Sequence, residues 1–538
     1  MNYVYPKKIV LCDGAIKNRE ALLQKRILQV GLAEKCTAVL EGPAFIVLDF
    51  GRELSGGIRL LTHRAEGRRR IRLRFGESLS EACAELGEKN ATNDHSLRDM
   101  TVELPDYSDM TFGETGFRFV RIDVQEGDSV AFKSVIAAIE EDERIQVGHF
   151  ECDDPLVNKI WNTAAYTLRL CLRNGFFWDG IKRDRLVWVG DLYPEMKAAF
   201  RLYGDVPETE NSLLFAREQT PLPEWMNGIP MYSMWWLIAL WENFYQGGNR
   251  AFAEGQLDYA EGLISLFECA VDEDGETHFG YNFIDWPTHF EPGGEETKRG
   301  DESAGVNYLL RLALMSSAKL FRAFGRDDGK CGRLLEKLNR SCRRAEKYKQ
   351  IAALGVLAGE KSAHNREILL RGGAAGMSTF MSYEILSACA AFGEYESAMR
   401  MLKDYYGGML SLGATTFWED FDIKWAENAA RIDTLPKDGQ TDVHGDCGAF
   451  CYKGFRHSLC HGWSAGVLAY LSETVLGLIP EDVGGRKIRF APHPGGLGRA
   501  CGILPTSFGP VEVEWRSLPD GKTEKRILRV PKEVEVID

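Results

Sequence analysis

A chain of 538 residues, 44% apolar and 27% charged, can bury a large core and hold more than one domain. Its net charge of −14 excludes the usual nucleic-acid binder, which carries a basic face, and fits a soluble protein with a neutral ligand. No apolar signal core follows Lys7 and Lys8, and the longest apolar run, 231–241, is too short to span a bilayer. The thirteen cysteines fall in no regular framework, so the expectation is reduced thiols in a cytoplasmic protein.

Residues 1–148 read as a β-sandwich domain. The run 45–50 is apolar and stops at Gly51, which predicts a buried strand. Segments 71–75 and 117–124 alternate apolar with charged residues, the period of half-buried strands. The arginines of 68–74 might be taken for a polyanion site, but their alternation predicts a strand with a solvated basic face.

Residues 149–480 change texture. Asp153 or Asp154 can cap a helix starting near Pro155. Helical runs follow over 156–173, 194–203, 212–217, 231–245, 252–267, 307–324, 330–347, 378–391, 395–405 and 461–476. Several are apolar on more than one face, as in an inner ring of helices. About a dozen helices fit the region at ordinary lengths. Residues 481–538 return to β: 486–490, 511–515, 526–530 and 534–537 predict a small C-terminal β-sandwich domain.

The densest chemistry lies in 176–191, where Asp179, Asp184 and Asp191 stand among Lys182, Arg183, Arg185, Trp178 and Trp188. A solvated salt-bridge loop has no need of tryptophans. Carboxylates that bond hydroxyls, beside rings that cover the apolar face of a pyranose, predict a sugar site on a loop between helices. Three companions share the texture: Asp285-Trp286, Trp418-Glu419 and His461-Gly462-Trp463. Each pair alone fits a packed ring beside a solvated acid; their repetition in separate loops favours a sugar cleft.

These segments resemble the α-L-rhamnosidases of glycoside hydrolase family 78. That family carries Asp-x-Pro-x-Arg-Asp-Glu-Arg-Leu-Gly-Trp-Thr-Gly-Asp, matched here from Asp179 to Asp191 with Arg185-Leu186, Trp188 and Gly190-Asp191 in place. Its Thr-Thr-x-Trp-Glu resembles Thr415 to Glu419, and its Ser-x-Asn-His resembles Ser458 to His461. Leu48-Asp49-Phe50-Gly51 and Gly116-Phe117-Arg118-Phe119 resemble its sandwich domain. The resemblance implies an (α/α)6 barrel flanked by the two β domains, and an inverting mechanism. It implies Asp184 as general acid, one methylene shorter than the family's glutamate, and Glu419 as general base. Asp179, Arg183 and Asp191 would bind sugar, Trp188, Trp286 and Trp418 would line the subsite, and His461 would add a hydrogen bond. Ile181-Lys182, Val187 and Cys460 depart from the family's proline run, glycine and asparagine.

Inversion needs a protonated acid at the leaving oxygen and an ionised carboxylate on the opposite face. Arg183 or Arg185 beside Asp184 in space would oppose the acid role, and crowding by Asp179 and Asp191 would favour it. Glu195 is the next acid in line. The sequence leaves open other exo-acting glycosidases, a lyase on acidic oligosaccharides, and a sugar-binding protein without catalysis. His444, Cys447, Cys451, His457, Cys460 and His461 fall close together, but their spacing matches no zinc site. The acidic stretch 291–302 reads as a solvated lid rather than a calcium loop. No nucleotide-binding motif is present. The expectation is therefore no metal, no cofactor and a carbohydrate substrate, with no nucleic-acid or membrane partner. Oligomeric state, a homo-oligomer included, stays open.

Overall fold

In the computed structural model the described residues are 2–34, 36–289, 296–450 and 452–538. The N-terminal region is one hydrogen-bonded sheet in the order Asn2–Val4, Ser129–Ile139, Ala38–His63, Asp109–Val124, Arg70–Gly76, Asp99–Glu103, with Lys8–Lys17 paired to Ala38–His63. The expected strand does not end at Gly51. The left-handed glycine (φ 85°) and a register shift between Asp49 and Leu54 carry the strand through a bend. Its first half alone pairs with Lys8–Lys17, and both halves pair with Asp109–Val124 and Ser129–Ile139. Phe50 and Phe75 meet Phe117 edge-on in the core, with centroids 5.7 and 5.1 Å from it.

The basic face of Arg70–Gly76 is solvated at Arg70 but not at Arg74 and only partly at Arg72, which corrects the expectation for those two. Arg72 donates to Asp99 at 2.8 Å and to Glu85 at 2.6 Å. Arg74 is buried against Asp123 at 2.9 Å. The alternation was that of a strand, but the neighbouring strands supply carboxylates that no local pattern announces.

The helical region opens where Asp154 accepts the N–H of Leu156 at 2.9 Å, with Pro155 in the first turn of Pro155–Cys171; Asp153 instead binds the N–H of Gly498. The helix expected from Pro194 starts earlier, as Val189–Leu202. No side chain of its own caps it. Asn227 from another loop accepts the Val189 N–H at 3.0 Å, so the start is a tertiary event. The expected run 330–347 stops at Leu338 as Gly329–Leu338. Beyond it the Asp301 carboxylate accepts the N–H groups of Glu346 and Lys347, at 2.8 and 3.1 Å, and turns the chain into Lys349–Leu357. That helix and Ala363–Leu370 were not expected. The last expected helix is mixed: a 3₁₀ turn Gly462–Gly466, an α turn Val467–Tyr470 and a π segment Leu471–Leu476. Among the described residues no helix is long and apolar enough to cross a membrane.

Two small sheets close the chain. One holds Leu478–Pro480, Lys487–Phe490 and Glu535–Ile537. The other orders Thr523–Arg529, Val511–Ser517, Arg499–Leu504 and His149–Cys152, so the stretch just before the first long helix is a strand of the C-terminal sheet.

Candidate active site

The segment 176–191 runs from the short pairing of Leu172–Arg173 with Phe176–Phe177 into Val189–Leu202. It is closed on itself by the Leu186 N–H, which donates to the Asp179 carboxylate at 2.8 Å. It is tied to the 458–463 segment by the Gly462 N–H, which donates to the Asp179 carbonyl at 2.7 Å. Gly190 must be glycine for space, since a Cβ there would meet the Tyr232 ring at 2.6 Å. Asp184 and Arg185 are both left-handed, at φ 54° and 58°, a conformation costly for side chains larger than glycine and characteristic of functional loops.

The N-terminal sheet holds these loops in place. Ser96 donates to the Lys182 carbonyl at 2.7 Å. The Glu77 carboxylate accepts the Leu459 N–H at 2.7 Å, and Arg118 donates to the Gly413 carbonyl at 3.2 Å. Thr415 Oγ1 accepts the Glu53 N–H at 2.9 Å.

Four of the expected carboxylates, Asp179, Asp184, Asp191 and Glu419, line one cavity of about 290 Å³. Arg183, His461, Trp188 and Trp286 line the same cavity. Trp418 does not. It is buried, edge-on to Phe421 and His457 at 5.6 and 6.3 Å, and serves the core. Asp285, the partner of Trp286 in sequence, is absent from the lining. It caps the turn Trp286–Thr288, accepting the Trp286 N–H at 2.8 Å and the Ser378 hydroxyl at 2.5 Å.

Arg183 is the electrostatic centre. One guanidinium nitrogen bonds Glu419, and another lies 3.0 Å from Asp184. Asp184 also lies 3.3 Å from His95 of the N-terminal region. Arg185 points elsewhere, to Glu114 at 2.5 Å and over the Trp178 ring. Burial pushes the Glu419 carboxyl up, but Arg183, His461, His457 and the Ser458 N–H outweigh it and hold it below the usual range. Burial lowers His461, while Glu419 and Asp191 (2.9 Å away) carry it up to about 9. Asp191 is raised by burial despite His461. Asp179 is raised well above the usual range by burial, helped by Asp191 and Asp184. The cavity therefore holds one carboxylate whose ionised form is favoured, Glu419, and one carboxyl whose neutral form is favoured, Asp179. Glu195 is also raised well above its range by burial but does not line the cavity; it packs against Gly462.

The sequence reading did not place Tyr232, Tyr452 or Arg456 at the cavity. Tyr232 sits in the apolar run that looked like core, and Arg456 carried no motif. Tyr281 and Phe283, just ahead of Asp285-Trp286 in the chain, and Trp463 line the cavity too.

The His/Cys stretch spreads over separate partners. His444 bonds Ser78 at 2.7 Å, His457 accepts the Asp420 N–H at 3.0 Å, and Cys460 packs with Leu170 and Ile181. Cys451 and the first part of the acidic stretch 291–302 lie outside the described residues. Glu77, Glu81 and His444 bring ligand atoms within 4.8 Å of one another. The cation among them is the Lys182 ammonium, 2.9 Å from Glu77 and 3.3 Å from Glu81.

No curated protein matches the chain by sequence. Among solved structures, a rhamnosidase of family 78 from Bacillus sp. GL1 superposes with a TM-score of 0.76 at 22% identity, over 96% of this chain. This chain spans 55% of that protein's length. A rhamnosidase from Klebsiella oxytoca with rhamnose bound gives 0.65 at 19% identity, over 80% of this chain and 88% of that one. An α-L-rhamnosidase from Streptomyces avermitilis complexed with L-rhamnose gives 0.69 at 17% identity, over 91% and 48%. Residues 145–330 match the bacterial α-L-rhamnosidase six-hairpin glycosidase domain, and residues 41–139 match the bacterial α-L-rhamnosidase concanavalin-like domain. Through these two domains, the chain belongs to the bacterial α-L-rhamnosidase family.

Proposed function

We propose that the chain is an inverting glycoside hydrolase, an α-L-rhamnosidase releasing terminal sugars from small glycosides. The observation that carries this is the bridge by which Arg183 joins Asp184 and Glu419 across one aromatic-walled cavity. Two carboxylates on different nitrogens of one guanidinium are separated by at most two hydrogen bonds and its width. That is compatible with the roughly 6.5–9.5 Å that inversion requires for a water between them. Glu419, held ionised, is the base for that water. Asp184 is the acid at the leaving oxygen. Asp179 and Asp191 hold sugar hydroxyls, His461 adds a charged hydrogen bond, and Trp188 and Trp286 cover apolar sugar faces. Rhamnose is the sugar bound in one of the similar structures and L-rhamnose in another.

The same reading takes the helices as an (α/α)6 barrel and the two C-terminal sheets as a β-sandwich. It places the protein in the cytoplasm on the strength of its cysteines.

Proton NMR during hydrolysis of an α-L-rhamnoside tests the mechanism: the β anomer of rhamnose should appear first. Asp184→Asn should cost about 10²–10⁴ in rate on a rhamnosyl disaccharide and much less on an aryl glycoside, whose leaving group needs little protonation. Glu419→Gln should lose alike on both. Equal losses for Asp184→Asn on both substrates would move the acid elsewhere, and Asp179, the neutral carboxyl of the cavity, then comes before Glu195. Sugar binding with no hydrolysis of any glycoside would leave a binding protein.

A further inference from the structure

Asp184 is also held from outside its own loop. The side chain that reaches it is His95, on the loop between the short turn Glu88–Asn90 and the strand Asp99–Glu103 of the N-terminal sheet. Both sequence neighbours of His95 tie that loop to the site. Asp94 bonds Arg456, which lines the cavity. Ser96 donates to the Lys182 carbonyl at 2.7 Å, one residue before Arg183. The loop is braced within itself as well. Asn93 Oδ1 accepts the N–H groups of Arg98 and Asp99, each at 3.1 Å, and Thr92 Oγ1 accepts that of Asp94 at 3.0 Å. Between these anchors His95 is left-handed at φ 65°, as Asp184 is at φ 54°. Two loops from the two matched domains thus meet through residues in a backbone conformation that few side chains adopt.

The contact itself is one-sided. His95 Nε2 lies 3.3 Å from Asp184 Oδ1, and the Arg183 guanidinium lies 3.0 Å from the same oxygen. Arginine always donates, and imidazole donates through Nε2 in its charged form or its Nε2–H tautomer. A carboxyl oxygen that accepts two N–H groups has no room for a proton of its own, which then belongs on the other oxygen. Arg183 alone does not fix this arrangement, because a second of its nitrogens is committed to Glu419. A single contact leaves an aspartate free to turn about its soft terminal torsion; a second contact, from another part of the chain, stops the turn. His95 is exposed and is absent from the lining of the cavity that Asp184 lines, so it grips the carboxyl without occupying sugar space.

We propose that His95 is a positioning residue for the acid: with Arg183 it holds Oδ1 of Asp184 and so presents the protonated Oδ2 to the leaving oxygen. It acts through Asp184 and touches no sugar. The inference rests on the glycosidase reading above, with Asp184 as acid. In the step it serves, the Oδ2 proton passes to the leaving oxygen, which keeps the electron pair of its broken bond to the anomeric carbon. Water forms the new bond to that carbon and gives its proton to Glu419.

Kinetics of His95→Ala, His95→Gln, Asp184→Asn and the double variant His95→Ala/Asp184→Asn test it, each on a rhamnosyl disaccharide and on an aryl α-L-rhamnoside. His95→Ala should lower kcat on the disaccharide about ten- to a hundredfold, the effect of an acid out of line, with KM nearly unchanged. It should lose far less on the aryl glycoside, whose leaving group needs little protonation. His95→Gln, whose amide nitrogen can stand where Nε2 stands, should recover most of the loss. Adding His95→Ala to Asp184→Asn should lower the rate no further, since residues that act as one unit are not additive. A His95→Ala loss that is equal on the two substrates, that Gln does not recover, or that multiplies with the Asp184→Asn loss overturns the inference and leaves His95 a tie between domains. A change in KM alone sets His95 against the sugar and overturns it too. If Asp184→Asn itself loses alike on both substrates, or the unmodified chain hydrolyses neither, the acid assignment fails and the inference falls with it. If Asp184→Asn behaves as an acid and His95→Ala does not follow it, the inference alone falls.

Discussion

Lys182 and Arg183 are adjacent in sequence and serve two different carboxylate clusters. Lys182 is buried against the N-terminal sheet, bonded to Glu77 and Glu81 and to the carbonyls of Phe455 and His457 at 2.9 and 2.5 Å. Arg183 faces the aromatic cavity and bonds Glu419 and Asp184. Both clusters set two acids around one cation, with Asp184 the one acid that is only partly buried. In the first, Glu77, Glu81 and Lys182 are all buried and fasten the loop; the second opens on a cavity of about 290 Å³. A buried acid–cation cluster is therefore not a site by itself. Access and a wall for the substrate make it one.

The comparison can be broken at its two ends. Glu419→Gln should lower kcat by about 10²–10⁴ while shifting the urea midpoint less than any change at Lys182. Lys182→Met should do the reverse. It leaves Glu77 and Glu81 buried without their cation, which costs about 3–5 kcal/mol, read from urea unfolding. The fraction that stays folded should keep kcat within a few-fold. A kcat loss at Lys182→Met as large as at Glu419→Gln would join the two clusters into one catalytic unit.

Proton linkage sharpens the same contrast. Burial, with Glu81 nearby, pushes the Glu77 carboxyl from an ordinary 4.5 up to about 7 against the pull of Lys182. Between those values the folded chain binds the extra proton. The stability Glu77 contributes is thus present at low pH and falls as pH rises through that window, then levels. Glu77→Gln should flatten this slope, measured by urea midpoints at about pH 5 and about pH 8. An unchanged slope would show that Glu77 is ionised in the folded chain. The smallest expected effect is at the wall of the cavity. Trp188→Ala removes a half-buried ring edge-on to Tyr232. It should raise KM about tenfold with kcat nearly kept, and a kcat loss without a change in KM would take Trp188 out of sugar binding.

Much of this was legible in the chain. Alternation placed the strands at 71–75, 117–124 and 511–515, because one buried face imposes a period of two. Asp154-Pro155 marked a helix start, since cap and fixed φ act within a few residues. The 176–191 segment and its three companions pointed to one cleft, and all four meet there. Pairing within a segment was a poorer guide. Asp285 caps the turn that presents Trp286, and Trp418 packs into the core while Glu419 enters the cavity.

The sequence by itself determined the order of β and helical regions, the first helix cap and most of the polar side chains that line the cavity. Each of these follows from local periodicity or from side-chain chemistry, both readable within a few positions. Only the tertiary structure decided that Lys182 is a fastening and that Arg183 bridges Asp184 and Glu419, that Arg72 and Arg74 are clamped by Asp99 and Asp123, and that Asn227 starts the helix at Val189. An irregular loop has no period to fix which way its side chains face, and the partners that orient them come from strands and loops far away in the chain.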